Sequence, residues 1–276
     1  MSQTASRRCQ GGWAVVVVGL LLSGCAPMVV RPGWDPHTEV IALFAPTADP
    51  LAGIDSLLAE ARVTVHQGRR RESGIALLRR CGPDLVRLDV RGPLSSQLFS
   101  ALVEGDSLTL WGPAAGGAWK GAVQGPLLAR MTGVDLAGYD PTRALLGTVL
   151  PASPEWIGPP VPVRGELVEV EVAGPGPFRQ VWIDRRRGLI RREVVLGLDG
   201  QVRLDRRLAD YRAVGSLLLP GRVEVWREDG VGLVFEYRRW VIGPVGEPDR
   251  LRRDLPRSGV RRVESVTDPT GGPAAD

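Results

Sequence analysis

Apolar and polar residues alternate along most of this chain, and the breaks in that alternation divide it. Val63 and Val65 alternate with Thr64 and His66, and Ile75 and Leu77 belong to a second run. Val86, Leu88 and Val90 alternate with Arg87, Asp89 and Arg91, and residues 97–104 and 108–111 add two more runs, with Trp119 opening a shorter one. A period of two is the mark of a strand with two different faces. Gly68, Gly82-Pro83, Gly92-Pro93, Gly105-Asp106 and Gly112-Pro113 separate these runs at the spacing of an antiparallel meander. A second set covers 167–172, 178–184, 189–196, 201–212, 222–227 and 233–242, with the hairpin dipeptides Asp199-Gly200 and Asp229-Gly230 among its turns.

Three stretches predict helix instead. Asp49-Pro50 reads as an N-cap followed by proline at the first helical position, with Leu51, Ile54, Leu57, Leu58 and Ala61 at helical spacing behind it. Residues 126–132 and 140–150 are the others, the latter with Leu145, Leu146 and Val149 on one side. Pro151, Pro154, Pro159, Pro160 and Pro162 then mark a loop around Trp156 and Ile157. The expected fold is mainly β with a few helices (α+β). It is one strongly curved antiparallel sheet, an incomplete β-barrel with a helical plug, since either half alone would leave long unpaired edges.

The N-terminus follows different rules. Arg7 and Arg8 precede an apolar run from Trp13 to Leu22, which ends in Leu22-Ser23-Gly24-Cys25. A basic start, an apolar centre and small residues before a cut site make a secretory signal, and the run is about half of the ~20 residues a spanning helix needs. The ending looks like a bacterial lipobox, which predicts cleavage between Gly24 and Cys25 and acylation of the Cys25 thiol. The expected divisions are a signal at 1–24, the acylated cysteine and a flexible tether at 25–46, one domain at 47–245, and an extension at 246–276 that is largely disordered at its end. Ala26 follows the cysteine where an aspartate would favour inner-membrane retention, so the expected location is the outer membrane, facing the periplasm.

Charge changes this picture little. The chain has 35 basic and 31 acidic residues, and losing residues 1–24 removes two arginines and no acids, leaving 33 against 31. The arginines are interspersed with acids, so no nucleic-acid partner is expected. With Cys9 in the signal and Cys25 acylated, Cys81 has no disulfide partner.

Catalytic chemistry is not expected. Gly105-Asp106-Ser107-Leu108 spells the motif of a lipase and esterase family, but a Ser107 nucleophile would need a downstream histidine, and the two histidines, His37 and His66, are upstream. Two histidines and one spare cysteine make no ordinary zinc site without carboxylates, and no phosphate loop with a lysine appears. No cofactor and no metal are expected.

Seven tryptophans follow Cys25, against four phenylalanines in the whole chain. A helix running into Ala61-Arg62-Val63-Thr64-Val65, the segments from Val86 to Leu94 and from Glu104 to Leu110, and Asp210-Tyr211 with Leu219-Pro220-Gly221-Arg222-Val223 together resemble the LolA/LolB superfamily of lipoprotein carriers and receptors. The resemblance spans roughly residues 47–245. It implies an apolar cavity that receives acyl chains of lipids or lipoproteins, membrane attachment through the N-terminal lipid, and exchange with a periplasmic carrier protein. Candidate cavity-lining residues are Phe99, Leu110, Trp111, Trp119, Trp182, Ile190, Trp226 and Phe235, and Trp156 with Ile157 is the candidate exposed apolar loop. The alternative is a non-catalytic structural or accessory envelope lipoprotein with a filled core.

Overall fold

A computed structural model describes residues 51, 54–93, 96–123, 127, 145–146, 156–173, 178–243, 247–256 and 258–263. The signal, the tether, most of the two central helix candidates and the last residues lie outside this set. The first alternating half forms β1 (Ser56–Gln67), β2 (Arg70–Cys81), β3 (Leu85–Arg91), β4 (Gln97–Glu104), β5 (Ser107–Gly112) and β6 (Gly117–Ala122). After the centre come β7 (Trp156–Ile157), β8 (Val161–Arg164), β9 (Leu167–Ala173), β10 (Phe178–Asp184), β11 (Leu189–Leu196) and β12 (Val202–Ala209). A small hairpin, β13 (Arg212–Val214) and β14 (Leu217–Leu219), leads into β15 (Arg222–Arg227) and β16 (Gly232–Ile242). The short helix α1 (Pro248–Arg252) and β17 (Val260–Arg262) finish the described chain.

One curved, open sheet of fifteen strands holds nearly all of this, in the order β17-β6-β5-β4-β3-β2-β1-β16-β15-β12-β11-β10-β9-β7, with β8 also on β9. Each half is a meander, and the two are joined where β1 pairs with β16 from Leu57↔Ile242 to His66↔Gly232. Register shifts at Glu60/Ala61, Val90/Arg91, Trp182/Ile183 and Val195/Leu196 mark bulges, which add local twist and bend their strands. Gly74 serves the close approach of β2 to β3, because a Cβ there would lie 2.4 Å from the Arg91 carbonyl oxygen.

The helix expected over 49–61 is corrected. From Ser56 the chain is strand, with Leu57, Ala59, Ala61 and Val63 all buried. Leu57, Leu58 and Ala61 fit a helical spacing by coincidence, and alanine at 59 and 61 favours helix locally. Hydrogen bonding to β2 on one side and β16 on the other overrides that preference. In the extension, residues 247–256 and 258–263 are described and carry α1 and β17. Leu251 of α1 is buried on β3, and β17 runs parallel to β6 along the sheet edge.

The turns fall on two opposite rims. One rim, where β1 begins, holds turns 82–84, 105–106, 165–166 and 185–188 and the β13–β14 hairpin. The other holds turns 68–69, 113–116, 197–201 and 228–231.

Candidate functional site

Cross-strand pairs share a face, so the registers assign every side chain to one side of the sheet. The inner face carries the largest apolar cluster. It runs through Leu108 and Leu110 of β5, Ala101 of β4, Val86 and Val90 of β3, Ala76 and Leu78 of β2, and Leu57 to Val63 of β1. It continues through Leu233, Phe235 and Tyr237 of β16, Val223 and Val225 of β15, Leu204 and Leu208 of β12, and Val195 of β11. A second cluster, Val168, Val170, Val172, Val181 and Ile183, extends the same face to the β9 edge. The result is an extended apolar face, with small residues (Ala59, Ala61, Gly74, Ala76, Ala101) along part of it.

Aromatic rings collect there. Trp240 stacks on Tyr237 at 4.4 Å between ring centres, and Phe235 follows at 6.3 Å from Tyr237. Burial pushes the Tyr237 hydroxyl far above its ordinary range, and it donates to the Leu145 carbonyl oxygen. Leu127, Leu145 and Leu146, from the two central helix candidates, are buried in the same cluster. Burial also raises Tyr211 to about 12, against the nearby charges of Arg206 and Arg191, and its hydroxyl donates to the Ile190 carbonyl at 2.6 Å.

Among this apolar surface sits a buried ionic group that the sequence reading missed. Glu193, Arg206 and Arg179 lie side by side on β11, β12 and β10, at 0%, 0% and 4% exposure. The Glu193 carboxylate is 2.9 Å from Arg206 Nη2 and 3.6 Å from Arg179 Nη1. Both contacts are close enough for ion pairs, yet neither has hydrogen-bond alignment at the carboxylate. A signal for it existed: Arg179 shares its phase with Val181 and Ile183, and Arg206 with Leu204 and Leu208.

Of the eight candidate lining residues, five face inward. Leu110 and Phe235 are buried, while Phe99, Trp119 and Ile190 are half-buried against the main cluster. The other three are corrected, because Trp111, Trp182 and Trp226 stand on the outer face. Trp111 packs with Leu85, Leu102 and Leu251 beneath the Arg87 guanidinium. Trp182 lies under Arg192, whose guanidinium carbon is 4.7 Å from the ring centre. Trp226 covers Gly232, meets His66 at 5.1 Å and donates its Nε1 to Glu224. The expected loop at 156–157 is instead the edge strand β7, with Trp156 opposite Ala173 and 47% exposed, while Ile157 packs inward on the second cluster. Gly24 and Cys25 lie outside the described residues. Ser107 follows a tight turn at Gly105 and opens β5, four strands from β1 and its His66.

The outer face of β10 to β16 is an ion-pair ladder. Arg192 and Arg207 both grip Asp205, and Arg222 holds Glu224 and Glu236. Desolvation pushes the Asp205 and Glu224 carboxyls up, but hydrogen bonds from Arg192 and Arg207, and from Trp226 and Arg222, outweigh it and leave both below their ordinary range.

Comparison with solved structures places this architecture. A DUF1329 family protein from Desulfovibrio piger superposes with a TM-score of 0.61 at 13% identity, covering 79% of this chain and 98% of the other. A domain of outer membrane lipoprotein-sorting type from Vibrio parahaemolyticus gives 0.59 at 11% identity, over 79% and 97%. A LolA superfamily protein from Nitrosomonas europaea gives 0.55 at 11% identity, again over 79% and 97%. The fold is that of the LolA superfamily. The resemblance read from the sequence therefore holds at the level of fold, with a LolA-type sheet that is open rather than a closed barrel. No protein-family model and no curated protein matches the sequence itself.

Proposed function

We propose that this protein is an acylated envelope lipoprotein whose LolA-type trough receives the acyl chains of lipids or lipoproteins, in the service of lipoprotein localisation at the outer membrane. The observation that carries this reading is the inner face itself. Apolar residues run without interruption from Leu110 on β5 to Val223 on β15, and Phe99, Trp119, Tyr237 and Trp240 line it with flat rings. Each methylene of a guest chain moved there from water contributes ~0.8 kcal/mol. Trp240 Nε1, buried without an acceptor among the described residues, is a polar handle for a guest carbonyl. The work is transfer without bond chemistry. The segments that bring Leu127, Leu145 and Leu146 into the cluster act as the plug that a guest displaces, and Cys25 is the acylated anchor. A periplasmic carrier is the donor partner in this scheme.

One observation favours a second reading. Leu127, Leu145 and Leu146 already pack into the trough, which fits an accessory lipoprotein with a filled core. Native mass spectrometry with lipid extraction, on a periplasmic form beginning at residue 26, separates the two. Acylated species should co-purify, be lost in Phe99→Asp and persist in Trp182→Ala, whose ring is on the outer face. A clean apo mass that stays unchanged after incubation with acylated peptide refutes the carrier reading and leaves the accessory one.

A further inference from the structure

The two rims of the sheet differ in a way that acyl binding does not use. On the rim where β1 begins, the β8–β9 and β10–β11 turns are joined: Arg185 donates its backbone N–H to the Glu166 carbonyl at 2.9 Å and pairs with the Glu166 carboxylate at 3.0 Å. Asp184 pairs with Arg191 at 2.9 Å. Those two acids are thereby engaged, whereas Arg164, Arg186 and Arg187 are exposed with no carboxylate within 4 Å of their guanidiniums among the described residues, although Arg187 donates its backbone N–H to Asp184 and its charge also acts on that acid. Beside them β8 presents Val161 and Val163 to solvent at 58% and 51% exposure. Arg191 lies over the Tyr211 ring, and Tyr211 leads into the β13–β14 hairpin, where Leu218 is 43% exposed. Ile242, 38% exposed, ends β16 next to that hairpin. The other half of this rim carries Asp84 and Asp106 at its turns and Arg252 of α1 paired with Glu104, whereas on this half exposed Asp210 stands beside exposed Arg212 and the exposed apolar side chains adjoin the three arginines.

The same rim is where the chain from residues 1–55 enters β1.

We propose that the rim formed by the β8–β9 turn, the β10–β11 turn and the β13–β14 hairpin docks on the surface of an anionic bilayer. Arg164, Arg186 and Arg187 meet the lipid phosphates, and Val161, Val163 and Leu218 reach the boundary of the acyl region. A basic group beside exposed apolar side chains is the combination that interfacial binding needs, and each arginine near an anionic surface strengthens partitioning about fivefold. The Arg69–Arg71 turn supplies an internal control, with three exposed arginines on the opposite rim. The docking chemistry does not depend on the acylation of Cys25.

The test uses the full acylated chain reconstituted in vesicles, in a Cys81→Ser background. An environment-sensitive fluorophore is placed by Val163→Cys or, on the opposite rim, by Leu198→Cys. In phosphatidylglycerol-rich vesicles the probe at 163 should shift to the blue and be quenched by spin-labelled lipid, while the probe at 198 stays aqueous. R164S/R186S/R187S should weaken docking about a hundredfold, and R69S/R70S/R71S should leave it unchanged. An aqueous signal at 163 in those vesicles, or docking insensitive to the loss of the three rim arginines, overturns the proposal. Flotation at high salt reads the anchor separately. A chain that fails to float refutes acylation, and the probe at 163, with vesicles added to the unanchored protein, still reads docking.

Discussion

Replacing Glu193 by glutamine should be among the most damaging single changes in the sheet. The carboxylate is completely buried between two guanidiniums, 2.9 Å from Arg206 and 3.6 Å from Arg179. Glutamine keeps the size and removes the charge, which leaves two cations adjacent in an apolar wall. Breaking a buried ion pair from one side costs about 3–5 kcal/mol. For a domain of this size each kcal/mol lowers the melting temperature by about 2–4 °C, so a fall on the order of 10 °C is expected. The assay is thermal unfolding followed by circular dichroism, in a double-mutant cycle with Arg206→Gln. Because the two residues touch, the double variant should be less damaged than the sum of the singles, with a coupling of about 1–3 kcal/mol. Additive effects, or an E193Q melting point within about 1 °C of the parent, would show that the triad carries no net pairing and refute the reasoning.

Two further perturbations follow from geometry. Asp184, Asp205 and Glu224 all titrate below their ordinary range, so the stability they contribute is complete above about pH 5 and lost as pH falls through their lowered values. Tyr211 acts in the opposite direction: its raised pKa means stability present below pH 10 and lost as pH climbs toward about 12. A pH series of urea midpoints should show both limbs, with R192Q/R207Q reducing the acid limb by the share of Asp205 and Tyr211→Phe reducing the alkaline limb that buried Tyr237 also feeds; limbs unchanged in these variants would contradict the assignments. Arg87→Ala should free the C-terminal strap, because Arg87 donates to the Leu251 carbonyl at 3.1 Å and also to that of Arg253, while Asp89 and Ser100 hold it in place. Hydrogen exchange should rise in residues 247–263 and stay unchanged in β15 and β16, and protection equal to the parent's would show that the strap is held by other contacts.

What this sequence determines by itself is local: where strands run and where they turn. Val86-x-Leu88-x-Val90, Asp199-Gly200 and Asp229-Gly230 read directly, since alternation and left-handed turn residues act within a few positions. The apolar face was legible where only one phase of a strand is apolar, as at Leu204 and Leu208. It was not legible where both phases are. Leu110 and Trp111 are neighbours with equal claims on the core, and only the pairing of β5 with β4 and β6 sends Leu110 inward and Trp111 outward, under Arg87 and against Leu251. Trp182 and Trp226 went to the outer face for the same reason, each finding an arginine or a glycine to cover. Leu57 to Ala61 became strand because β2 and β16 close on both sides of it, partners that lie up to about 180 residues away and leave no trace in a local period. The burial of Glu193 with Arg206 and Arg179 was also decided in three dimensions. A charge in phase with an apolar stripe can be solvated or paired, and only the alignment of β10, β11 and β12 brings the three side chains together.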